Sequence, residues 1–211
     1  MRFFTALFTA YGPQGWWPAE TKFEVIVGAV LTQNTNWGNV ERAIANLKEA
    51  GVLTPDAMHA LTQDSLAKLI RPAGYFNVKA GRLGNFLEHL FNNYGDGEKN
   101  LTDFLKKDTE VLRAELLSVN GIGPETADSI LLYAARKAVF VIDAYTKRIL
   151  TRHGLIGDDA GYAEMQALFM DNLEEDSILF NEYHALIVMT GKDYCKTKKP
   201  LCDECPLGSF L

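Results

Sequence analysis

No stretch of this chain constrains its fold as tightly as Leu117-Ser118-Val119-Asn120-Gly121-Ile122-Gly123-Pro124-Glu125-Thr126-Ala127. It reads as the end of one amphipathic helix, a Gly-x-Gly turn and the start of a second helix. That helix continues through Leu131-Leu132-Tyr133 towards an apolar run, Val139-Phe140-Val141-Ile142, and a single carboxylate, Asp143. Glycines at 121 and 123 permit backbone conformations closed to a side chain and let the backbone approach a ligand closely. Pro124 opens a helix whose first N–H groups have no intrahelical partner. Such amides, with the positive end of the helix dipole behind them, suit a phosphate. A Gly-x-Gly between helices also serves as an ordinary tight turn. What points further is its company: Asp143 follows Glu125 by eighteen residues, and the three cysteines stand at 195, 202 and 205.

Around this turn the apolar spacing is helical almost throughout. Residues 1–11 place Phe3, Phe4, Leu7 and Phe8 on one face; Gly12-Pro13-Gln14-Gly15 breaks that helix, and Trp16-Trp17-Pro18 follows. Phe23, Val25-Ile26-Val27 and Ala29-Val30-Leu31 make a nearly all-apolar helix, the mark of a central buried one. It ends in Thr32-Gln33-Asn34-Thr35-Asn36, capped by Trp37. Polar amides at the end of a buried helix are costly unless partnered, so this tract is a candidate edge of a site. Further helices are expected over 40–50, from Pro55 behind a Thr54 cap, and over 64–70. A long helix is expected over 79–94, with Gly95-Asp96-Gly97 as its stop. Helices over 101–105, 109–117, 126–135, 144–152, 162–173 and 178–190 complete the reading. The run Val139 to Ile142 is strand-like, but helices on both sides make it a buried extended entry to the helix after Asp143. The expected class is all-α, with roughly ten helices.

Net charge bounds the partners. At −6 the chain is no generic polyanion binder, so any nucleic-acid role must use local patches. Two exist: Lys147-Arg148 with Arg152, and Lys192, Lys196, Lys198 and Lys199 around the cysteines. Each also reads as a solvated helix face or loop. No run of eighteen apolar residues offers a membrane span. The apolar N-terminus imitates a signal peptide only briefly, because no small-residue cleavage site precedes Tyr11-Gly12-Pro13, and a cytoplasmic protein is expected. Six residues separate Cys195 from Cys202 and two separate Cys202 from Cys205. With no other cysteine present, that spacing reads as metal ligation in a reducing compartment rather than as disulfides.

Taken together, the run Leu117 to Ala127, Asp143 and the cysteine tail resemble the helix-hairpin-helix DNA glycosylases of the endonuclease III superfamily. The likeness extends to Gly74-Tyr75-Phe76-Asn77-Val78-Lys79-Ala80 and Val30-Leu31-Thr32-Gln33-Asn34-Thr35, and so covers nearly the whole chain. It implies a two-lobed all-α fold with duplex DNA and an extruded base held at the cleft between lobes. Chemistry on a base inside a duplex requires flipping it out of the stack, hence a pocket and a backbone clamp. The lobes expected are residues 18–124, a six-helix barrel-type lobe ending in the hairpin, and residues 1–17 with 125–211, including a cysteine loop over 195–211. The resemblance further implies a bacterial or archaeal type of protein, nucleoid-associated and monomeric, whose partner is double-stranded DNA with a damaged base.

Asp143 matches the family's catalytic aspartate. It is expected to stabilise positive charge on the deoxyribose as the glycosidic bond breaks and to orient or deprotonate water. It is also a good N-cap, and both roles are compatible. Glu125 departs from the family pattern: members that also cut the strand carry a lysine there, whose amine forms a Schiff base with the sugar. A carboxylate cannot, so a monofunctional glycosylase is expected. With Trp16-Trp17-Pro18, this departure is similar to the 3-methyladenine DNA glycosylase III branch. A positively charged alkylated purine is already a good leaving group, and Trp16, Trp17 and Trp37, with Pro18 as a wall, could select it by stacking and cation–π attraction. Glu125 joins these as a pocket residue. Gln33 resembles the polar residue that fills the vacated stack, with Asn34, Gly121, Ile122, Gly123, Thr126, Lys147, Lys196, Lys198 and Lys199 on the DNA. Trp16 and Trp17 also read as an N-terminal aromatic core cluster, and Gln33 as a helix-end hydrogen bonder.

Cys195, Cys202 and Cys205 match the first three ligands of the family's [4Fe–4S] loop, but position 211, where the fourth is due, holds Leu211. Either the tail has lost a ligand or the natural chain continues and places its cysteine one residue later; a structural cluster is expected all the same, holding the loop of Lys196, Lys198 and Lys199 against phosphates. Two other readings stay open. One is a glycosylase for mismatched or deaminated pyrimidines, whose pocket would aim hydrogen-bonding groups at the base edge. The other is a non-catalytic DNA-lesion-binding module.

Overall fold

The computed structural model describes residues 1–95 and 97–211; Asp96, assigned above to the stop after the long helix, lies outside the described residues. Among the described residues there are twelve α-helices and no strand. They are α1 (Arg2–Tyr11), α2 (Lys22–Leu31), α3 (Trp37–Glu49), α4 (Pro55–His59), α5 (Gln63–Leu69), α6 (Phe76–Tyr94), α7 (Glu98–Leu105), α8 (Thr109–Ser118), α9 (Pro124–Ser129), α10 (Ala144–Arg152), α11 (Tyr162–Met170) and α12 (Ser177–Asp193). The chain divides into two compact units, Ala19–Arg136 and Met1–Pro18 with Lys137–Leu211.

Six of the twelve helix starts are fixed by a side-chain oxygen that accepts an otherwise unpartnered N–H. Thr21, Asn36, Thr54, Thr62, Asp143 and Asp176 cap α2, α3, α4, α5, α10 and α12 in this way. The Asn36 cap corrects the expectation at Trp37. Asn36 Oδ1 accepts from Asn39 N at 3.1 Å, so α3 begins at Trp37 itself rather than three residues later. The helix after the hairpin also differs in kind. It begins at Pro124 and widens over Ile130–Ala134 into a π-helical turn, closed by Ala135 N–H donating to Ile130 O at 3.0 Å.

In the first unit α2 is the centre. Every residue from Phe23 to Leu31 is buried, and the helix packs against α3, α6 and the π turn. Each buried Val, Leu, Ile or Phe there contributes about 1.5–3 kcal/mol by leaving water. Three buried charges are compensated at close range, Glu24 by Lys48 at 2.9 Å among them. Lys79, only 1% exposed, donates from Nζ to Leu31 O and Ala73 O, both at 2.8 Å, so an ammonium closes the carbonyl end of α2. Burial, with Arg82 adding repulsion, pushes its pKa down to about 8. Asp128 is bound through both oxygens by Arg113, at 2.7 and 3.1 Å.

In the second unit α12 packs against both α1 and α10. The segment 139–142 is buried, as its apolar run implies, and belongs to neither helix nor strand. Phe140 stacks on Phe169 at 3.7 Å and meets Phe180 and Tyr183 edge-on, which fixes the entry to Asp143 and α10.

Candidate active site

The hairpin turn of the first unit is held from two sides. Gly121 has φ 96°, and a Cβ there would lie 2.3 Å from Arg82 Cγ, so position 121 needs glycine for backbone and space together. Ile122 is buried and its N–H donates to Val119 O at 3.1 Å. Gly123 caps α9 with its carbonyl alone, accepting from Ala127 N at 2.9 Å; a Cβ added there would meet nothing within 4 Å. Gln33 Nε2 donates to Gly121 O at 3.1 Å and to Thr126 Oγ1 at 2.9 Å, while Arg82 donates to Gln33 Oε1. Asn85 Nδ2 donates to Asn120 O at 2.9 Å.

The structure therefore brings together Gln33, Gly121, Ile122, Gly123 and Thr126, all assigned from the sequence. It adds Arg82 and Asn85, which the sequence reading missed. Their signal was present: with Lys79 they recur every third residue along α6, a polar row beside the apolar face. Thr126 is buried and serves as an acceptor inside the turn. Asn34 is exposed in the left-handed region, φ 54°. Glu125 is exposed in the first turn of α9. Of the aromatic candidates, Trp37 opens α3 in this unit. Trp16 and Trp17 are half-buried in the other, with ring centroids 5.6 Å apart and Pro18 exposed beside them.

Asp143 is the N-cap of α10. Its Oδ1 accepts from Thr146 N at 2.7 Å and from Thr146 Oγ1 at 2.8 Å. Its Oδ2 lies 3.8 Å from Nε2 of His184 on α12. The carboxylate side chain is 13% exposed, so one oxygen is fixed by the cap while the group still reaches solvent. Burial lowers the pKa of His184, with Asp143 pulling the other way, and the imidazole is neutral at pH 7. A neutral ring at this distance stands beside the carboxylate without cancelling its charge. Nothing in sequence spacing pairs residue 184 with residue 143; the pairing is a product of α10 packing on α12. Lys147 is exposed on the next turn of α10.

The cysteine loop leaves the end of α12 and is gripped by α10. Arg148 donates to Cys195 O at 2.6 Å and to Gly191 O at 3.2 Å, and Arg152 donates to Cys195 Sγ at 2.8 Å. Cys195, Cys202 and Cys205 line one cavity of about 10 Å³, together with His153 and Leu211. Backbone amides of Leu207 and Gly208 hydrogen-bond Cys205, whose thiol burial pushes up. A Cβ at Gly208 would lie 2.3 Å from Cys202 O, so the loop closes tightly only with glycine there. Lys196, Lys198 and Lys199 are exposed on the loop between the cysteines. Among the described residues no three His, Cys, Asp or Glu side chains converge on a single metal ion. A [4Fe–4S] cluster takes one side chain at each of four separated irons, so donors spaced around a void suit it better than they suit one ion. Three cysteines lining one cavity, with amide and guanidinium donors on two of them, are a donor set fit for such a cluster.

A paired-glycine hairpin, a capped carboxylate on the following helix and a three-cysteine loop define a class of base-excision protein. Residues 27–175 match the model of the HhH-GPD superfamily base excision DNA repair protein, and the chain belongs to that family. It is 52% identical over 210 residues to a Methanocaldococcus jannaschii protein provisionally named a DNA repair glycosylase, covering 99% of this chain and 94% of the relative. It is 30% identical to endonuclease III of Sulfolobus acidocaldarius, over 89% of this chain and 80% of the relative. Among solved structures it is similar to the H. pylori 3-methyladenine DNA glycosylase bound to 1,N6-ethenoadenine. The TM-score is 0.74 at 29% identity, over 90% of this chain and 96% of that one.

Proposed function

We propose that this member of the family is a monofunctional DNA glycosylase that removes alkylated purines of the 3-methyladenine type from duplex DNA. The observation that carries the reading is Glu125: the side chain at the position of the lyase lysine is an exposed carboxylate, with no amine to form a Schiff base. The likeness to the H. pylori enzyme supports the choice of an alkylated purine.

In this reading the base is flipped out and stacks on the half-buried indoles of Trp16 and Trp17, with Pro18 as a wall. A cationic purine is drawn to the indole faces. The C1′–N bond breaks with its electron pair going to the base, which leaves neutral. A water oxygen bonds to C1′, and Asp143 stabilises the developing positive charge and takes the water's proton. Thr146 fixes Oδ1 so that Oδ2 is the oxygen presented. Amides of Gly121 and Gly123 clamp the DNA backbone without reading sequence, while the Ile122 amide and the buried Thr126 hold the turn from inside; Asn34 and Lys147 each add a contact to phosphates. Gln33 fills the vacated stack, for which its amide exchanges Gly121 O and Thr126 Oγ1 for the DNA. Cys195, Cys202 and Cys205 hold a [4Fe–4S] cluster whose contribution is structural, setting Lys196, Lys198 and Lys199 against phosphates.

The test is a panel of duplexes carrying alkylated, deaminated or oxidised bases, scored for base release with and without alkali. Release of 3-methyladenine, with strand scission only after alkali, is expected. Preferential release of uracil or thymine would move the substrate to the pyrimidine reading, and binding without release of any base would make the protein a lesion binder. Scission without alkali, or a borohydride-trapped adduct, would overturn the monofunctional assignment.

A further inference from the structure

The cavity that the three cysteines share is also lined by a histidine. His153, the residue that ends α10, lines it, and Leu211, at the position where a fourth cysteine is due, lines it with an aliphatic side chain. The imidazole of His153 is fixed on two sides. Phe3 packs edge-on against its ring at 4.9 Å, and the ring hydrogen-bonds to the backbone carbonyl of Phe210. Nδ1 of the same ring is buried and has no hydrogen-bond partner among the described residues. The tautomer that donates to Phe210 from Nε2 leaves the lone pair on Nδ1.

A buried ring nitrogen with an unused lone pair is costly and calls for an explanation such as an ion. A metal-bound histidine has this arrangement: one nitrogen donates to a backbone carbonyl, which sets the tautomer, and the other faces the metal. We propose that His153 Nδ1 is the fourth ligand of the cluster, giving it three thiolates and one imidazole. The proposal rests on the cluster reading above and supplies what Leu211 cannot. It also accounts for the hold of α10 on this loop: Arg148, Arg152 and His153, at the far end of the helix that Asp143 caps, all engage it.

The test is anaerobic reconstitution of the full chain with ferrous iron and sulfide, followed by metal and sulfide counts and pulsed electron paramagnetic resonance of the reduced protein. Wild-type protein labelled with ¹⁵N-histidine is expected to hold about four irons and four sulfides per chain. Its spectrum should show coupling to one directly bound histidine nitrogen. His153→Cys should keep the cluster, lose that coupling and shift the midpoint potential downward, since imidazole in place of thiolate raises it. A cluster in wild-type protein without nitrogen coupling, or with coupling that survives His153→Cys, would overturn the ligand and leave the cluster standing. Failure of wild-type protein to bind more iron and sulfide than Cys202→Ser would overturn the cluster, and the ligand with it. Because the labelled wild-type spectrum alone decides the ligand, a poorly folding variant does not blunt the result.

Discussion

The starts of α9 and α10 each lie beside one acidic side chain, and they are built on opposite plans. At α10 the carboxylate is the cap: Asp143 is held by two bonds from Thr146 and backed by His184. At α9 the cap is Gly123, with no side-chain bond, Pro124 follows, and Glu125 stands exposed. The first arrangement fixes a charged oxygen in place. The second strips side chains from the turn and leaves backbone at the surface. One suits chemistry at an atom, the other contact with a chain of phosphates, and the difference tells which acid to expect in the reaction.

The largest expected effect separates the two roles of Asp143. Asparagine caps a helix about as well as aspartate, so Asp143→Asn should leave stability and duplex affinity nearly unchanged. It cannot accept a proton or balance a developing cation, and single-turnover base release should fall by about 10²- to 10⁴-fold. Unchanged release would reduce Asp143 to a cap and erase the contrast with Glu125.

The two glycines of the turn should separate next. Gly121→Val combines a positive φ with the clash against Arg82, and urea unfolding should show a loss of about 1–3 kcal/mol. Gly123→Ala has ordinary φ and open space, so its stability should stay within about 0.5 kcal/mol of wild type. Its duplex affinity should nevertheless drop, because the added methyl stands where a phosphate is proposed to approach. An affinity equal to wild type would remove the backbone clamp from this turn.

A pH series tests the other side of the comparison. Burial holds the folded-state pKa of His184 below its usual value. As pH falls below about 6.5 the unfolded chain therefore takes up this proton first, and stability drops until the folded-state pKa is passed. His184→Gln should flatten that acid-side loss in urea midpoints measured between neutral and mildly acid pH. An equal slope in the variant would mean that His184 is not kept neutral beside Asp143.

Much of this was legible in the sequence because it is local. The all-apolar α2, the Thr54-Pro55 start and the glycine turn follow from spacing and from the needs of a few adjacent residues. The start of α3 was misplaced because its signal is the Asn36 side chain rather than an apolar repeat. The π turn over Ile130–Ala134 was invisible because a uniformly apolar run does not distinguish one helical pitch from another. Arg82, His184 and His153 were missed for a different reason. What each touches lies 49, 41 and 57 residues away, at Gln33, Asp143 and Phe210, and only packing makes those pairs.

The smallest effect on stability, and the sharpest on mechanism, belongs to Glu125. Its carboxylate near the start of α9 gains at most about 0.3–1 kcal/mol from the helix dipole, so Glu125→Lys should cost little in urea unfolding. If residue 125 faces the sugar of the flipped nucleotide, the new amine can attack C1′ and displace the base. A fraction of the protein should then be trapped on damaged duplex by borohydride, while wild type gives none. Trapping should vanish with undamaged duplex. A variant that folds, binds DNA and releases base as wild type does, yet gives no adduct, would place residue 125 out of reach of the sugar. The absence of an amine there would then no longer explain a reaction that stops at the abasic site.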